Sequence, residues 1–251
     1  MMLKNERLHE IIKILEMQNG FATVAQLCSA LYASESSIRR DLTLLENRGV
    51  IRRSYGGAEL IYSNSNVVSF NQRTHENIQA KKEIALKASR LVTDGSIVFL
   101  DQSSSTFYLA NELRNKNNLT IITNSIEIVS LLADTNLKVI CSGGELSSAN
   151  RTCLIGADAQ YAFESTYADI AFFSAKSLSD DGVISDCTRE ELFVRKAMIK
   201  HAATKVFLCD SSKYGTCSAY IQCTLNDIDY LVGENEKAQV FSTCAKKLTV
   251  L

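Results

Sequence analysis

The chain has 251 residues, 46% of them hydrophobic, and a formal net charge of −1. That is enough apolar content for two separate cores, and too little net charge for a general polyanion binder. No apolar run approaches the roughly 18 residues that a bilayer span needs, and residues 1–10 lack the apolar centre of a signal peptide. A cytosolic protein with no membrane partner is expected.

The eight cysteines form no C-x-x-C pair. They give no zinc signature, and no metal or other cofactor is expected. Small buried residues in strands are the simplest account of them, best at Cys141 and Cys209. His9, His75 and His201 are scattered and read as surface or packing residues. Residues 1–58 hold eight basic and six acidic side chains, a net of +2, which leaves −3 for the remainder. The sign suits nucleic acid at the N-terminal end.

Leu8, Ile11, Ile12 and Leu15 recur at helical spacing, and Asn19-Gly20 suits the end of that helix. Val24, Leu27 and Leu31 mark a second, short helix. Tyr32 to Ser34 is a tight connection into a third. Ser34 suits its N-cap, because a hydroxyl there accepts a bond from a first-turn amide. Ile38, Leu42 and Leu45 at i, i+4, i+7 form the inward face. Ser36, Ser37, Arg39, Arg40 and Thr43 occupy the rest of the surface. Three short helices with a tight turn before the last make a helix-turn-helix unit. Hydroxyls and arginines on an exposed helix can meet bases or phosphates in a major groove. Val50 to Arg53 reads as a short strand turned at Gly56-Gly57 toward Ala58–Leu60. This hairpin is a wing that carries Arg52, Arg53 and Tyr55. The expected DNA contacts are therefore Ser34, Ser36, Ser37, Arg39, Arg40, Thr43, Arg52, Arg53 and Tyr55.

Residues 7–58 resemble the DNA-binding domain of the DeoR family of bacterial transcription regulators. The likeness rests on Arg7, Ile11, Leu15, Leu27, Ser34, the run Ile38-Arg39-Arg40-Asp41-Leu42, Leu45, Gly49, Arg52 and Gly56-Gly57-Ala58. Ser37 stands where the family usually has Thr, and Tyr55 where it usually has His.

Residues 59–76 include Ser63-Asn64-Ser65-Asn66, lack periodicity and read as a linker between domains at 1–58 and 77–251. Strands are expected at Ile97–Leu100, Thr120–Thr123, Lys138–Cys141, Asp169–Phe173, Val206–Cys209 and Tyr230–Val232. Helices are expected near 77–92, 105–115, 125–133, 157–163, 190–203 and 236–246. Strands alternating with helices imply an α/β domain with a largely parallel sheet. In such sheets ligands bind outside the carboxyl ends of the strands. Five of those ends are short and rich in hydroxyls. They are Asp101 to Thr106, Thr123 to Ser125, Ser142 to Glu145, Ser174 to Ser177 and Asp210 to Lys213. Hydroxyl loops before helix N-termini, a glycine pair and a lysine suit a small, hydroxylated, phosphorylated metabolite.

Residues 70–214 also resemble the DeoR family. Matching positions include Phe70, Arg73, Lys82, Ile84-Ala85, Gly95, Asp101, Thr106, Thr123-Asn124, Gly143-Gly144, Gly156, Ala171-Phe172, Gly182, Glu191 and Asp210 to Lys213. The resemblance implies a sensor domain related in fold to ribose-5-phosphate isomerase that binds sugar phosphates without catalysis. It points to Asp101, Ser104, Ser105, Thr106, Thr123, Asn124, Gly143, Gly144 and Lys213 as effector contacts. The family's first loop usually runs Asp-Ser-Gly-Thr-Thr, so Ser103 here replaces glycine. If that position needs a positive φ, serine resists it by roughly 1 kcal/mol or more, and the loop is reshaped. Ser177, where glycine is common, raises the same question.

The expected protein is a DNA-binding regulator, a repressor of genes for sugar or sugar-phosphate use. It is relieved by a phosphorylated sugar, reads a double-stranded operator as a homo-oligomer, and has no catalytic residues. Two rivals remain: a sugar-phosphate isomerase, and a regulator whose pocket has degenerated.

Overall fold

The computed structural model describes residues 4–18, 21–47, 50–54, 56–60 and 70–251. Asn19-Gly20, Gly49, Tyr55 and Ser63 to Asn66, named above, lie outside the described residues. The chain divides into two units, Met1–Asn66 and Val67–Leu251.

The first unit runs α1 (Lys4–Met17), β1 (Phe21–Thr23), α2 (Val24–Leu31), α3 (Glu35–Asn47), β2 (Ile51–Ser54) and β3 (Gly57–Leu60). Local chemistry sets each start and stop. Thr23 caps α2 in a reciprocal box: its amide donates to Gln26 Oε1 at 2.8 Å, and its hydroxyl accepts from the Gln26 amide. Tyr32 ends α2 in the left-handed region, φ 49°. Ser34 then caps α3, accepting from the Ser37 amide at 3.4 Å. Ile11, Leu15, Leu27, Ile38, Leu42, Leu45 and Ile51 pack into one buried core, as the helical spacing requires. The hairpin β2–β3 pairs Ile51 with Leu60 and Ser54 with Gly57. The sequence reading left out β1, which adds to the free side of β3. Gly57 allows that approach, since a Cβ there would lie 2.5 Å from Ala22 O.

The second unit begins with α4 (Phe70–His75), inside the stretch read as linker; that stretch also holds Glu59 and Leu60 of β3. Next come α5 (Ile78–Ser89), β4 (Ile97–Leu100), α6 (Ser104–Leu113), β5 (Thr120–Thr123), α7 (Ile126–Leu132) and β6 (Lys138–Cys141). Two short strands, β7 (Glu145–Leu146) and β8 (Leu154–Ile155), lead to α8 (Gly156–Glu164) and β9 (Ala168–Phe173). The chain continues through β10 (Ser177–Leu178), β11 (Val183–Asp186), α9 (Arg189–Lys200), β12 (Ala202–Leu208), β13 (Tyr220–Thr224), β14 (Tyr230–Val232) and β15 (Thr249–Val250). The helix expected near 236–246 is a 3-10 helix over Asn235–Phe241. Strands β10, β11 and β13 form a small antiparallel sheet that periodicity did not reveal.

Seven strands make one parallel sheet in the order β15-β14-β12-β9-β4-β5-β6. Alternation along each strand feeds two faces. Val98, Leu100, Ile121, Phe172, Val206 and Leu208 pack under α5, α6 and α7. Phe99, Ile122 and Ala171 meet Phe163 of α8 and Met198 of α9 on the opposite face. Phe173 and Phe207 extend that face toward Phe241. Cys209 is buried as expected, but Cys141 is exposed, because β6 is an edge strand with partners on one side only. From β4 the chain winds outward to β5 and β6, then returns to β9 and winds the other way. The strand order therefore reverses between β4 and β9, where an open α/β sheet leaves a crevice.

Candidate nucleic-acid interface and sensor site

In the first unit, Ser34, Ser36, Arg39, Arg40, Thr43, Arg52 and Arg53 are exposed and Ser37 is half-buried. Burying Ile38, Leu42 and Leu45 turns the hydroxyls and guanidinium groups of α3 outward. Ser34 Oγ donates to Ser37 Oγ at 2.9 Å and lies 3.1 Å from Ser36 Oγ, so three hydroxyls cluster at the helix start. Arg39 pairs with Glu35 at 2.6 Å across one exposed turn. Such a surface pair is worth little and yields readily to a phosphate. Arg53 bridges β2 to α3, donating from Nε to Glu46 at 2.7 Å and from Nη1 to Thr43 Oγ1 at 3.0 Å. The Arg53 amide and guanidinium hold the Glu46 carboxyl below its usual range. Arg40 and Arg52 make no side-chain hydrogen bond or ion pair among the described residues, so both cations are available. Asp41, within the Ile-Arg-Arg-Asp-Leu run, faces inward instead. It is buried and takes Arg7 Nε at 2.5 Å, pinning α1 to α3.

In the second unit, the carboxyl ends of β4, β9 and β12 converge at the strand-order reversal. Asp101, after β4, is fully buried and its carboxylate is already engaged. It accepts from the Ser103 amide at 3.0 Å, Thr106 Oγ1 at 2.9 Å, the Ser174 amide at 3.1 Å and Arg195 Nε at 3.1 Å. Arg195 is itself buried and also pairs with Asp186 at 3.0 Å and Glu191 at 3.8 Å. Burial opposes its charge, but Asp186, Asp101 and Glu191 overcome this and hold the guanidinium above its ordinary pKa. Gln102 Nε2 donates to Glu191 at 2.6 Å, completing a buried polar hub. Asp101 thus joins β4, β9 and α9, which is an architectural task.

Ser103 answers the question raised by the missing glycine. Its φ is −76°, and it caps α6 by accepting from the Thr106 amide. No positive φ is required, so serine is an improvement there. Ser177 lies in β10 with ordinary backbone, its hydroxyl 2.7 Å from Ser218 Oγ.

The remaining candidates divide. Ser104, Ser105 and Thr106 form the first turn of α6, all buried. Thr106 Oγ1 is spent on Asp101, whereas Ser105 Oγ is buried with no partner. Thr123 Oγ1 accepts from the Ser125 amide at 3.1 Å, holding the turn after β5. Asn124 donates to Leu154 O at 3.0 Å and leaves its Oδ1 buried and unpaired. Lys213 crosses to the β9 end, donating to Ser174 Oγ at 2.7 Å and pairing with Asp210 at 3.5 Å. Burial pushes the Asp210 carboxyl up, but Lys213 and Ser212 outweigh this and leave it below its usual range. The glycine pair is set apart. Both residues are exposed; Gly144 has φ +104°, and a Cβ on it would lie 2.3 Å from Ile155 O, so its immediate role is packing against the start of α8.

Sequence reasoning missed Lys81 and Arg195. Lys81 is buried while its neighbour Lys82, the quoted match, is exposed. Its amine donates to Glu76 O at 2.6 Å and also to Arg73 O. Burial, then the charge of Lys213, lowers its pKa to about 8. Spacing carried a signal in both helices: Lys81 falls on the face of Ile84, Ala85 and Ala88, and Arg195 on that of Val194 and Met198. A charge on an apolar face needs a partner. A surface cleft of about 650 Å³ lies elsewhere, among Asn111, residues 114–118 and residues 134–137 leading into β5 and β6, at the amino ends of the strands.

Comparison with known proteins agrees with both units. Residues 7–64 match the DeoR-like helix-turn-helix domain, and residues 76–235 match the DeoR C terminal sensor domain. The HTH-type transcriptional regulator GolR of Listeria innocua is 34% identical over 232 residues, 92% of this chain and 91% of its own. The HTH-type transcriptional repressor GlcR of Bacillus subtilis is 32% identical over 241 residues, covering 96% and 92%. Ribose 5-phosphate isomerase A of Methanocaldococcus jannaschii aligns over 53% of each chain at 20% identity, with a TM-score of 0.39. With the helix-turn-helix match across the first unit and the sensor match across the second, the chain belongs to the DeoR family of helix-turn-helix transcriptional regulators.

Proposed function

We propose that the protein represses genes for sugar or sugar-phosphate use, and that a phosphorylated sugar bound at the β4/β9 crevice releases it from its operator. It acts in the cytoplasm as a homo-oligomer, since one small winged unit reads too few base pairs for specificity and paired units read two half-sites. Arg40 and Arg52, with the hydroxyls of Ser34, Ser36 and Ser37, contact the duplex. Arg39, Thr43 and Arg53 order that surface and share its phosphates, and Tyr55 belongs to the same wing. Ser104, Ser105, Asn124 and Lys213 face the effector, with Thr106, Thr123 and Asp101 shaping the loops and Gly143-Gly144 closing the neighbouring turn.

The observation that carries this reading is that a lysine and two unsatisfied polar atoms stand at the carboxyl ends of the parallel strands. Lys213 stands at the end of β12, while Ser105 Oγ and Asn124 Oδ1 are buried without partners. Buried polar atoms are ordinarily paired, so these two call for a ligand rich in hydroxyls and charge. Isomerase chemistry is disfavoured because it needs a free acid–base pair. Asp101, Asp186 and Glu191 are all committed to Arg195, and Asp210 to Lys213. A degenerate pocket loses its motive, since Ser103 adopts an ordinary φ.

Operator and effector are then linked by a coupling free energy of about 1–3 kcal/mol. Gel retardation of promoter fragments, titrated with a panel of sugar phosphates, tests this. Retardation relieved about 5–150-fold by one of them supports the proposal. Retardation indifferent to all of them removes the sensor half, and no retardation at low salt removes the whole.

A further inference from the structure

Asn77 joins α4 to α5, and its side chain serves neither helix. It is a non-glycine residue in the left-handed region, φ 52°, at the N-cap position of α5. An asparagine at such a position ordinarily caps its own helix by accepting a first-turn amide. Here no side-chain cap bond forms. The side-chain amide instead donates to Asp210 Oδ1 at 3.1 Å and to Ser212 Oγ at 3.0 Å, 133 and 135 positions along the chain. Glycine would serve the left-handed backbone equally well. What Asn77 adds is therefore the amide and its reach to a distant loop.

That loop carries Lys213. Asp210, just after β12, is shared: Lys213 Nζ lies 3.5 Å from its Oδ2, while Asn77 and Ser212 donate to its Oδ1. Lys213 also donates to Ser174 Oγ at the end of β9. On the other side, the turn at Asn77 is tied to α4. Four residues on, the buried Lys81 amine donates to Arg73 O and Glu76 O at the end of that helix. Burial opposes the Asp210 charge, yet Lys213, Ser212 and then Lys81 keep its carboxyl below the usual range, so the start of α5 also acts on the loop through space. Residues 210–213, the turn at Asn77 and the end of α4 are thus joined by polar contacts. Because α4 is the first element of the second unit, these contacts end at the segment that follows the DNA-binding unit in sequence.

We propose that Asn77 is a positioning residue that couples the effector loop to α4, a latch that holds in the operator-binding arrangement and opens when a phosphorylated sugar takes Lys213. This rests on the function proposed above and adds the residue that transmits binding. A phosphate that takes the Lys213 amine takes it from Asp210 and brings a second negative charge to that carboxylate. The two anions repel. Asp210 and Ser212 move off with their loop, and the Asn77 amide loses both acceptors. The loop then has two arrangements and the latch bonds to only one of them, which is what coupling between two sites requires. By linkage, bonds that favour the operator-binding arrangement must also weaken effector binding.

The test uses the full chain and measures two equilibria separately. Calorimetry without DNA gives the affinity for inorganic phosphate, glucose 6-phosphate, fructose 6-phosphate and ribose 5-phosphate. Gel retardation of a promoter fragment gives the operator affinity with and without each probe, and their ratio is the coupling factor. Asn77→Gly keeps the left-handed turn and deletes the amide. It should bind the active probe at least as tightly as wild type and bind the operator more weakly in the absence of probe. Its coupling factor should be at least about threefold smaller, the share expected of a partly exposed bond to a charged group. Asn77→Asp tolerates the same backbone but sets a carboxylate against Asp210 and should show the same loss; it carries the test if the glycine variant does not fold. An unchanged coupling factor in a folded variant overturns the latch and leaves the sensor reading intact. Weaker probe binding in Asn77→Gly overturns it too, because Asn77 would then support the pocket itself. Failure of both variants to fold makes Asn77 structural and refutes the latch. Wild type that retards no promoter fragment, or whose operator affinity ignores every probe, overturns both readings.

Discussion

Asp101→Ala separates an architectural carboxylate from a ligand contact. The wild-type carboxylate satisfies four buried donors: two amides, one hydroxyl and the Arg195 guanidinium. Thr106 Oγ1 keeps other acceptors at Asp101 O and Ser103 O, so its loss is small. The Ser103 and Ser174 amides are orphaned, at about 1–3 kcal/mol each. Arg195 keeps Asp186 and Glu191 but loses its contact across β4, and breaking a buried pair outright costs about 3–5 kcal/mol. These contributions overlap, so a net loss of about 3–5 kcal/mol is expected. For a unit of this size that lowers the melting temperature by roughly 6–20 °C. Urea and thermal unfolding of the full chain, followed at the sensor-unit transition, measure it. If Asp101→Ala unfolds within about 1 kcal/mol of wild type yet loses the effector response, Asp101 is a ligand contact and the hub argument is refuted.

Arg40→Ala should weaken operator binding by about 1–3 kcal/mol while helix content is kept, because the side chain is exposed and has no partner among the described residues; wild-type affinity in a retardation titration would contradict its role as a reader. Lys213→Ala should still retard the operator but respond to sugar phosphate at least about tenfold less sensitively; a dose curve that overlays wild type would count against the crevice. Lys81 titrates near 8 in the fold, through burial and then Lys213, against an ordinary 10.5. Between those values the unfolded chain binds more protons than the folded one, so this group makes stability rise with pH across that window. Unfolding free energies at pH 8 and 10 should therefore rise more for wild type than for Lys81→Met, and parallel pH curves would sink the assignment.

Much of the first unit was readable because its information is local. Ile38, Leu42 and Leu45 must share a face at 3.6 residues per turn, and that alone turned Arg39, Arg40 and Thr43 outward. The opposite outcome for Asp41 was also implicit in the spacing, since it adjoins Leu42 and Leu45 on the helix, but its partner Arg7 lies 34 positions away. In the second unit, β4, β5, β6 and β14 have the expected limits, because short apolar runs between turn signals mark strands, whether buried like β4 or at the sheet edge like β6. Short pairings such as β7 with β8 and β10 with β11 carry no periodic signal, being two residues long on one or both sides. Helix α4 was read as linker because six residues with one buried aromatic look like loop until Phe107 and Tyr108 are seen to hold it.

The amino-acid order alone settled six of the seven strands of the parallel sheet and most of the helices, which face of the third helix turns outward, and that hydroxyls crowd the strand ends. Those follow from backbone periodicity and side-chain hydrogen bonding within a few residues. Folding in three dimensions decided the rest: the strand order that opens a crevice between β4 and β9, and the capture of Asp101 by Arg195 across 94 positions. Charge pairing acts through space, at a few ångströms and irrespective of sequence distance. The string could therefore name the charged residues but not tell which ones the fold would neutralise.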